Sequence, residues 1–166
     1  MNNIKNTFSK FVATKRKIAT IAVLVLVSGS AFSQSRFSKN EFSINGFRNP
    51  SVGLEFRHSQ LSYHAGYYPT AFKSGETTSF FKVGVTSWFL PVGKRENPSS
   101  FYAGASYLRG MSREYDGKNA VGVEAGFRWM VWKGLNFRIG AIGVASSGKS
   151  FKINPTPGIS YSFFIK

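Results

Sequence analysis

From Val121 to Val131 every second residue is apolar: Val121, Val123, Ala125, Phe127, Trp129 and Val131. Gly122, Glu124, Gly126 and Arg128 take intervening places. Eleven residues of strict period 2 exclude a helix, because side chains two apart on a 3.6-residue turn point in nearly opposite directions. The pattern demands a strand with one greasy face and one face of glycine and charge. It recurs along the chain. One segment runs from Glu41 to Phe47 with Phe42 and Ile44 on one face, and a second carries Val52, Leu54 and Phe56. The others carry Leu61, Tyr63, Ala65 and Tyr67; Phe81, Val83, Val85 and Phe89; and Phe101, Ala103, Ala105 and Tyr107. After the Val121 segment come Leu135, Phe137, Ile139 and Ala141, then Ile159, Tyr161, Phe163 and Ile165. Eight alternating segments joined by Gly, Pro, Asn and Ser clusters predict an all-β fold.

The connectors are read as residues 48–51, 58–60, 68–77, 90–99, 109–118, 133–134 and 145–157. With the chain starting on an inner side, short turns would fall at one end and longer loops at the other; six of the seven connectors fit or nearly fit, 90–99 being fairly long for a turn, and the short first loop does not. Which face is wet then separates a membrane barrel from a soluble sandwich. Gly53, Gly66, Gly84, Gly104, Gly122, Gly126, Gly140 and Gly158 share the non-aromatic parity with Glu55, Arg57, Lys82, Glu124, Arg128, Asn136 and Arg138. Glycine weakens a strand unless something approaches closely, and the inside of a narrow eight-stranded barrel supplies that approach. The expected fold is therefore an eight-stranded antiparallel up-and-down transmembrane β-barrel, with its apolar parity toward lipid and a filled polar lumen. Tyr63, Tyr67, Trp88, Phe89, Tyr107, Trp129, Trp132 and Tyr161 lie mostly toward segment ends, where such barrels carry aromatic girdles.

The N-terminal stretch reads as an address. Lys5, Lys10, Lys15, Arg16 and Lys17 precede an apolar run from Ile18 to Val27, followed by small residues up to Ser33. This is the three-part pattern of a secretory signal peptide over residues 1–33, leaving a barrel domain over 34–166. The run is about half the roughly 20 residues a spanning helix needs. Removing the leader takes five of the 22 basic residues, so seventeen bases face 7 acids, a net +10. Those bases are scattered, with no basic run interleaved with stacking aromatics, so nucleic acid is not an expected partner. The absence of cysteine excludes a disulfide framework, a thiolate zinc site and a cysteine nucleophile.

The final stretch, Thr156-Pro157-Gly158-Ile159-Ser160-Tyr161-Ser162-Phe163, resembles the C-terminal signal read by the outer-membrane assembly machinery, with Thr156, Gly158, Tyr161 and Phe163 at the matching places. The usual signal ends on an aromatic residue, whereas this chain continues through Phe164-Ile165-Lys166. With the leader and the eight segments, the mature chain resembles small outer-membrane barrels of the OmpA/OmpX type. The resemblance implies a cell outer-membrane location, lipid contact, and recognition of the last strand by the assembly machinery.

Candidate site residues follow from parity. Glu55, Arg57, Lys82, Glu124, Arg128 and Arg138 are expected to form a polar network in the lumen. Charges in a narrow interior must be paired, and four bases against two acids require either further carboxylates or bases near the mouths. Lys149 and Lys152, in a predicted external loop, are candidate lipopolysaccharide contacts. The expected role is structural or surface-interacting, with no catalytic residue, metal or cofactor. An alternative is a lipid-modifying enzyme like the lipid A deacylases, which use a Ser two residues after a His. Here Ser62 precedes His64, the order is reversed, and no carboxylate is near in sequence. A second alternative is a soluble secreted β-barrel binding a ligand in an apolar interior. Gly148-Lys149-Ser150 lacks the upstream glycine spacing of a phosphate loop.

Overall fold

The computed structural model describes residues 37–165; the signal peptide expected over 1–33 lies outside them. Among the described residues nine strands run in order: β1 (Asn40–Asn45), β2 (Val52–His58), β3 (Leu61–Lys73), β4 (Glu76–Val92), β5 (Ser99–Gly110), β6 (Asn119–Trp132), β7 (Leu135–Ser146), β8 (Lys152–Pro155) and β9 (Gly158–Ile165). A 3₁₀ turn at Arg113–Tyr115 sits between β5 and β6. Each strand from β1 to β7 pairs antiparallel with the next. β8 and β9 together make the eighth stave. β8 lies against Ala141–Val144 of β7 and β9 against Leu135–Arg138. β9 also pairs with β1, which closes the ring. The stave breaks at Thr156-Pro157, where proline can donate no ladder bond, and Thr156 N–H still reaches Gly140 O at 2.8 Å.

The ring is staggered. Followed from partner to partner, Glu41 leads through Arg57, Ser62, Thr86, Gly104, Glu124 and Ile142 to Asn154. The direct partner of Glu41 across the closing seam is Phe164, ten residues further along. A ten-residue stagger over eight strands, with a rise of ~3.3 Å and a spacing of ~4.8 Å, tilts the strands by about 40°. That stagger decides which residues meet across the interior.

The two ends differ. At one end the connections are short: Ser59-Gln60 between β2 and β3, and Lys133-Gly134 between β6 and β7. Lys133 (φ 29°) and Gly134 (φ 108°) both have positive φ, as a tight hairpin turn with the right twist requires. At the other end the expected loop 68–77 does not exist as a loop. β3 and β4 run on as a hairpin to Ser74-Gly75, and Pro69 pairs with Ser79 on the way. Expected loop 145–157 likewise contains β8. In both places prolines and polar residues mask strands in the sequence.

The first connection is short because it folds inward. Asn49 and Ser51 are buried, and Asn49 Nδ2 donates to the Tyr102 hydroxyl and to Thr156 O at 3.1 Å. Above this tucked loop, Asn154 Nδ2 of β8 donates to Thr70 Oγ1 (2.6 Å) and Ala71 O (2.9 Å) of β3. The wall missing above β1 and β2 is thereby completed.

Candidate functional site in the barrel interior

Alternation places one parity of each strand inside. Near the short-turn end, Glu41 is buried between two guanidinium groups. Its Oε2 accepts from Arg57 Nε at 2.9 Å and also from Arg57 Nη2. Its Oε1 accepts from Arg128 Nη1 at 2.7 Å. One carboxylate holding two arginines is a charge-assisted clamp joining β1, β2 and β6.

One level further in, Arg138 Nη2 lies 2.7 Å from Glu55 Oε2 as an ion pair, poorly aligned for a hydrogen bond. Glu55 Oε1 accepts from Ser62 Oγ at 2.5 Å, and Ser62 Oγ accepts from Trp88 Nε1 at 2.9 Å. The Trp88 ring carries the Arg128 guanidinium 4.4 Å and the Arg138 guanidinium 5.0 Å from its centroid. An indole face between two cations lowers their cost of burial. Trp88 is therefore an interior residue, 1% exposed, and not part of an aromatic girdle. Its neighbour Phe89 points outward and stacks on Phe101; adjacent residues of a strand cannot share a face.

The third level holds Lys82 and Glu124. Lys82 Nζ donates to both carboxylate oxygens at 2.9 Å and to Pro50 O, in the inward loop, at 2.7 Å. His64 Nε2 stands 4.0 Å from Glu124 Oε1 and 3.4 Å from Ser106 Oγ, while Nδ1 on the other side of the ring is 3.5 Å from Thr86 Oγ1. The Tyr102 ring fills the space beside Gly126 and Gly140, which pair across β6 and β7. A Cβ on either glycine would run into the Tyr102 hydroxyl, which is the close approach that glycine permits.

At the long-loop end the interior turns apolar. Tyr68, Phe80, Leu108, Ala120, Ile142 and Val144 pack beneath Tyr115 of the 3₁₀ turn, with Phe72 against them. Burial raises the Tyr115 hydroxyl pKa. Lys149 Nζ donates to Glu114 Oε2 at 2.6 Å, tying the β7–β8 connection to the same turn. That hydrogen bond holds the Glu114 carboxyl below its ordinary value. A depressed carboxylate contributes stability above its unfolded pKa and loses it as pH falls through the lowered folded value, so the latch stays closed at neutral pH. Replacing Lys149 by Gln will return the Glu114 titration, followed by carboxyl NMR shifts, toward the ordinary carboxylate range.

All six residues expected in the lumen network lie inside the ring, but their partners are not their same-strand neighbours. Glu55 meets Arg138 rather than Arg57, and Glu124 meets Lys82 rather than Arg128. Glu41 is an interior charged residue outside the expected set. Its signal was present, since it shares parity with Ser43 and Asn45 opposite Phe42 and Ile44. It is the third carboxylate that the basic excess called for. Of the two lysines in the expected external loop, Lys149 is engaged by Glu114, while Lys152 is half-buried at the start of β8 with no ion pair among the described residues. Ser62 and His64 are both buried, and their hydrogen bonds go elsewhere, Ser62 to Glu55 and Trp88 and His64 to Thr86 and Ser106; His58 is exposed and shares a 2.9 Å hydrogen bond with Asn40.

Fold and interior together define a closed eight-stranded antiparallel β-barrel, filled by a buried ion-pair network and stoppered by an apolar cluster. Compared with protein-family models, with curated proteins and with solved structures, the chain matches none.

Proposed function

We propose that this protein is an integral outer-membrane β-barrel with a structural or surface-interacting role and a closed interior, as the resemblance to the OmpA/OmpX type implies. One observation carries the reading: the outward parity is an apolar belt carrying no charge, with Ser87 of β4 as a polar member between Val85 and Phe89. Val121, Val123 and Ile139 are each more than 60% exposed, and Trp129 is 60% exposed. Outward positions along the strands hold no charge until Lys73, its cross-strand partner Glu76, and Arg109 at the long-loop end. Soluble monomers rarely expose a contiguous apolar patch of more than a few hundred Å², and this one encircles the molecule. At about 40° tilt each residue advances roughly 2.5 Å along the axis, so Val121–Val131 spans about 25 Å, the height of the apolar band of such barrels. Ring closure pairs the backbone groups that lipid could not satisfy.

The filled interior supports a scaffold rather than a pore. Arg, Glu, Lys and Trp side chains interlock along the axis, the inward loop sits among them, and the apolar cluster closes one mouth. Surface interaction then belongs to the long-loop end. There Lys152, of the expected pair Lys149 and Lys152, is the one without an ion pair among the described residues and so left to meet lipopolysaccharide phosphate, and β9 is the strand that the assembly machinery would read. Urea-unfolded protein diluted into detergent will migrate faster unboiled than boiled, and will float with phosphatidylcholine vesicles in a high-salt density gradient. Recovery as a soluble monomer without detergent overturns the reading.

A further inference from the structure

A second feature lies outside the barrel wall at the short-turn end. The ladder between β6 and β7 slips between Met130 and Trp132. Arg95, in the connection between β4 and β5, lays its guanidinium across this bulge. Its Nη1 donates to Met130 O at 2.6 Å and Val131 O at 2.8 Å. Ser99 Oγ accepts from Met130 N at 3.0 Å, which leaves its own O–H to donate elsewhere. The connection is thus pinned against the barrel, and two grooves open on either side of Arg95.

The grooves differ in charge. One, of 360 Å³, holds Arg95 and Lys133 but also Glu96. The other, of 390 Å³, is lined by Lys94, Arg95, Ser99, Phe127 and Trp129, with no acid. Among the described residues neither Lys94 nor Arg95 is in an ion pair. We propose that the acid-free groove binds the phosphate of an anionic phospholipid head group. Lys94, Arg95 and Ser99 face the phosphate, and the acyl chain runs down the outward faces of Trp129 and Phe127. Two unpaired cations above an exposed indole suit a ligand that is charged at one end and apolar at the other. A free anion would gain from the cations alone. The volume is within the range of ligand sites. The proposal rests on the membrane reading, from which its test can be separated.

Detergent-folded protein is offered phosphatidylglycerol and phosphatidylcholine in equal amounts, and bound lipid is counted by native mass spectrometry. Phosphatidylglycerol is expected to be retained in preference. Lys94 makes no hydrogen bond or ion pair among the described residues, so Lys94→Gln leaves folding intact and lowers the preference about fivefold. Adding Arg95→Gln lowers it about thirtyfold, from roughly one lysine or arginine contribution each. Lys149→Gln, at the opposite end, leaves it unchanged. Equal retention of the two lipids by the parent, or an unaltered preference in the Lys94→Gln variant, overturns the proposal. So does complete displacement of phosphatidylglycerol by excess inorganic phosphate, which would make the groove a simple anion site. Protein that floats with phosphatidylcholine vesicles yet shows no lipid preference refutes this inference alone; protein that does not float refutes the membrane reading.

Discussion

Glu41→Ala will destabilise the folded barrel by about 3–5 kcal/mol, the cost of breaking a buried ion pair by removing one partner. Glu41 is 1% exposed, and its carboxylate is the shared counter-charge of Arg57 and Arg128. Without it, two guanidinium groups face one another where water cannot screen them. Glu41→Gln keeps the shape and one acceptor but loses the charge, so its cost falls between parent and alanine. Replacing the whole triad, with Glu41→Leu, Arg57→Met and Arg128→Met, recovers most of the loss. A buried triad exchanged for apolar side chains of like volume is often neutral or better. The urea midpoint of detergent-folded protein, read by heat-modifiable gel mobility, measures all three. An alanine variant within 1 kcal/mol of the parent would mean that the clamp contributes little and that the interior is held by shape alone.

The same clamp shows how far the sequence reaches. Parity alone sorts residues to the inside or the outside, because a strand has only two faces. That is why Glu55, Arg57, Lys82, Glu124, Arg128 and Arg138 were legible as interior residues without coordinates. Parity says nothing about partners. Glu55 and Arg138 are brought together by the ten-residue stagger around the ring, a property of the closed sheet that no single segment encodes. Glu41 was overlooked for a smaller reason: β1 is six residues long and its apolar face has two members, so the parity that places Glu41 inside is present but faint. Trp88 was misplaced by residue type. Tryptophan near a strand end suggests an interface anchor, yet Phe89 beside it already held the outward place.

The tucked first loop and the long β3–β4 hairpin were hidden by composition. Asn49, Pro50 and Ser51 read as an ordinary polar turn, and nothing local announces that Pro50 O will accept from Lys82 on a distant strand. Pro69, Ser74 and Gly75 end the apparent strand early, although backbone pairing continues past Pro69 on its outward edge. In both places the outcome is set by interior volume. A ring whose β1 and β2 are short leaves space that the loop fills and a gap that β3 and β8 bridge.

The other large effect concerns the outer face. Arginine at Ala125, midway along the outward row of β6, will cost about 2–4 kcal/mol, whereas arginine at Val121, nearer the long-loop end, will cost about 0–1 kcal/mol. Both positions are exposed, Val121 by 61%. Neither substitution creates a cavity, buries an unpaired group within the barrel or removes an interior contact. On a surface bathed in water both would fall within about 0.5 kcal/mol of the parent, as exposed changes away from special features do. The depth dependence is therefore the discriminating quantity. Under the proposed membrane setting it arises because hydrocarbon would give the guanidinium no partner at the middle of the belt, while near the edge the side chain would reach head groups and water. Unfolding free energies in phospholipid vesicles, compared between Ala125→Arg and Val121→Arg, separate the two environments: a large cost at Ala125 that shrinks at Val121 places lipid around the ring, and equal small costs place water there.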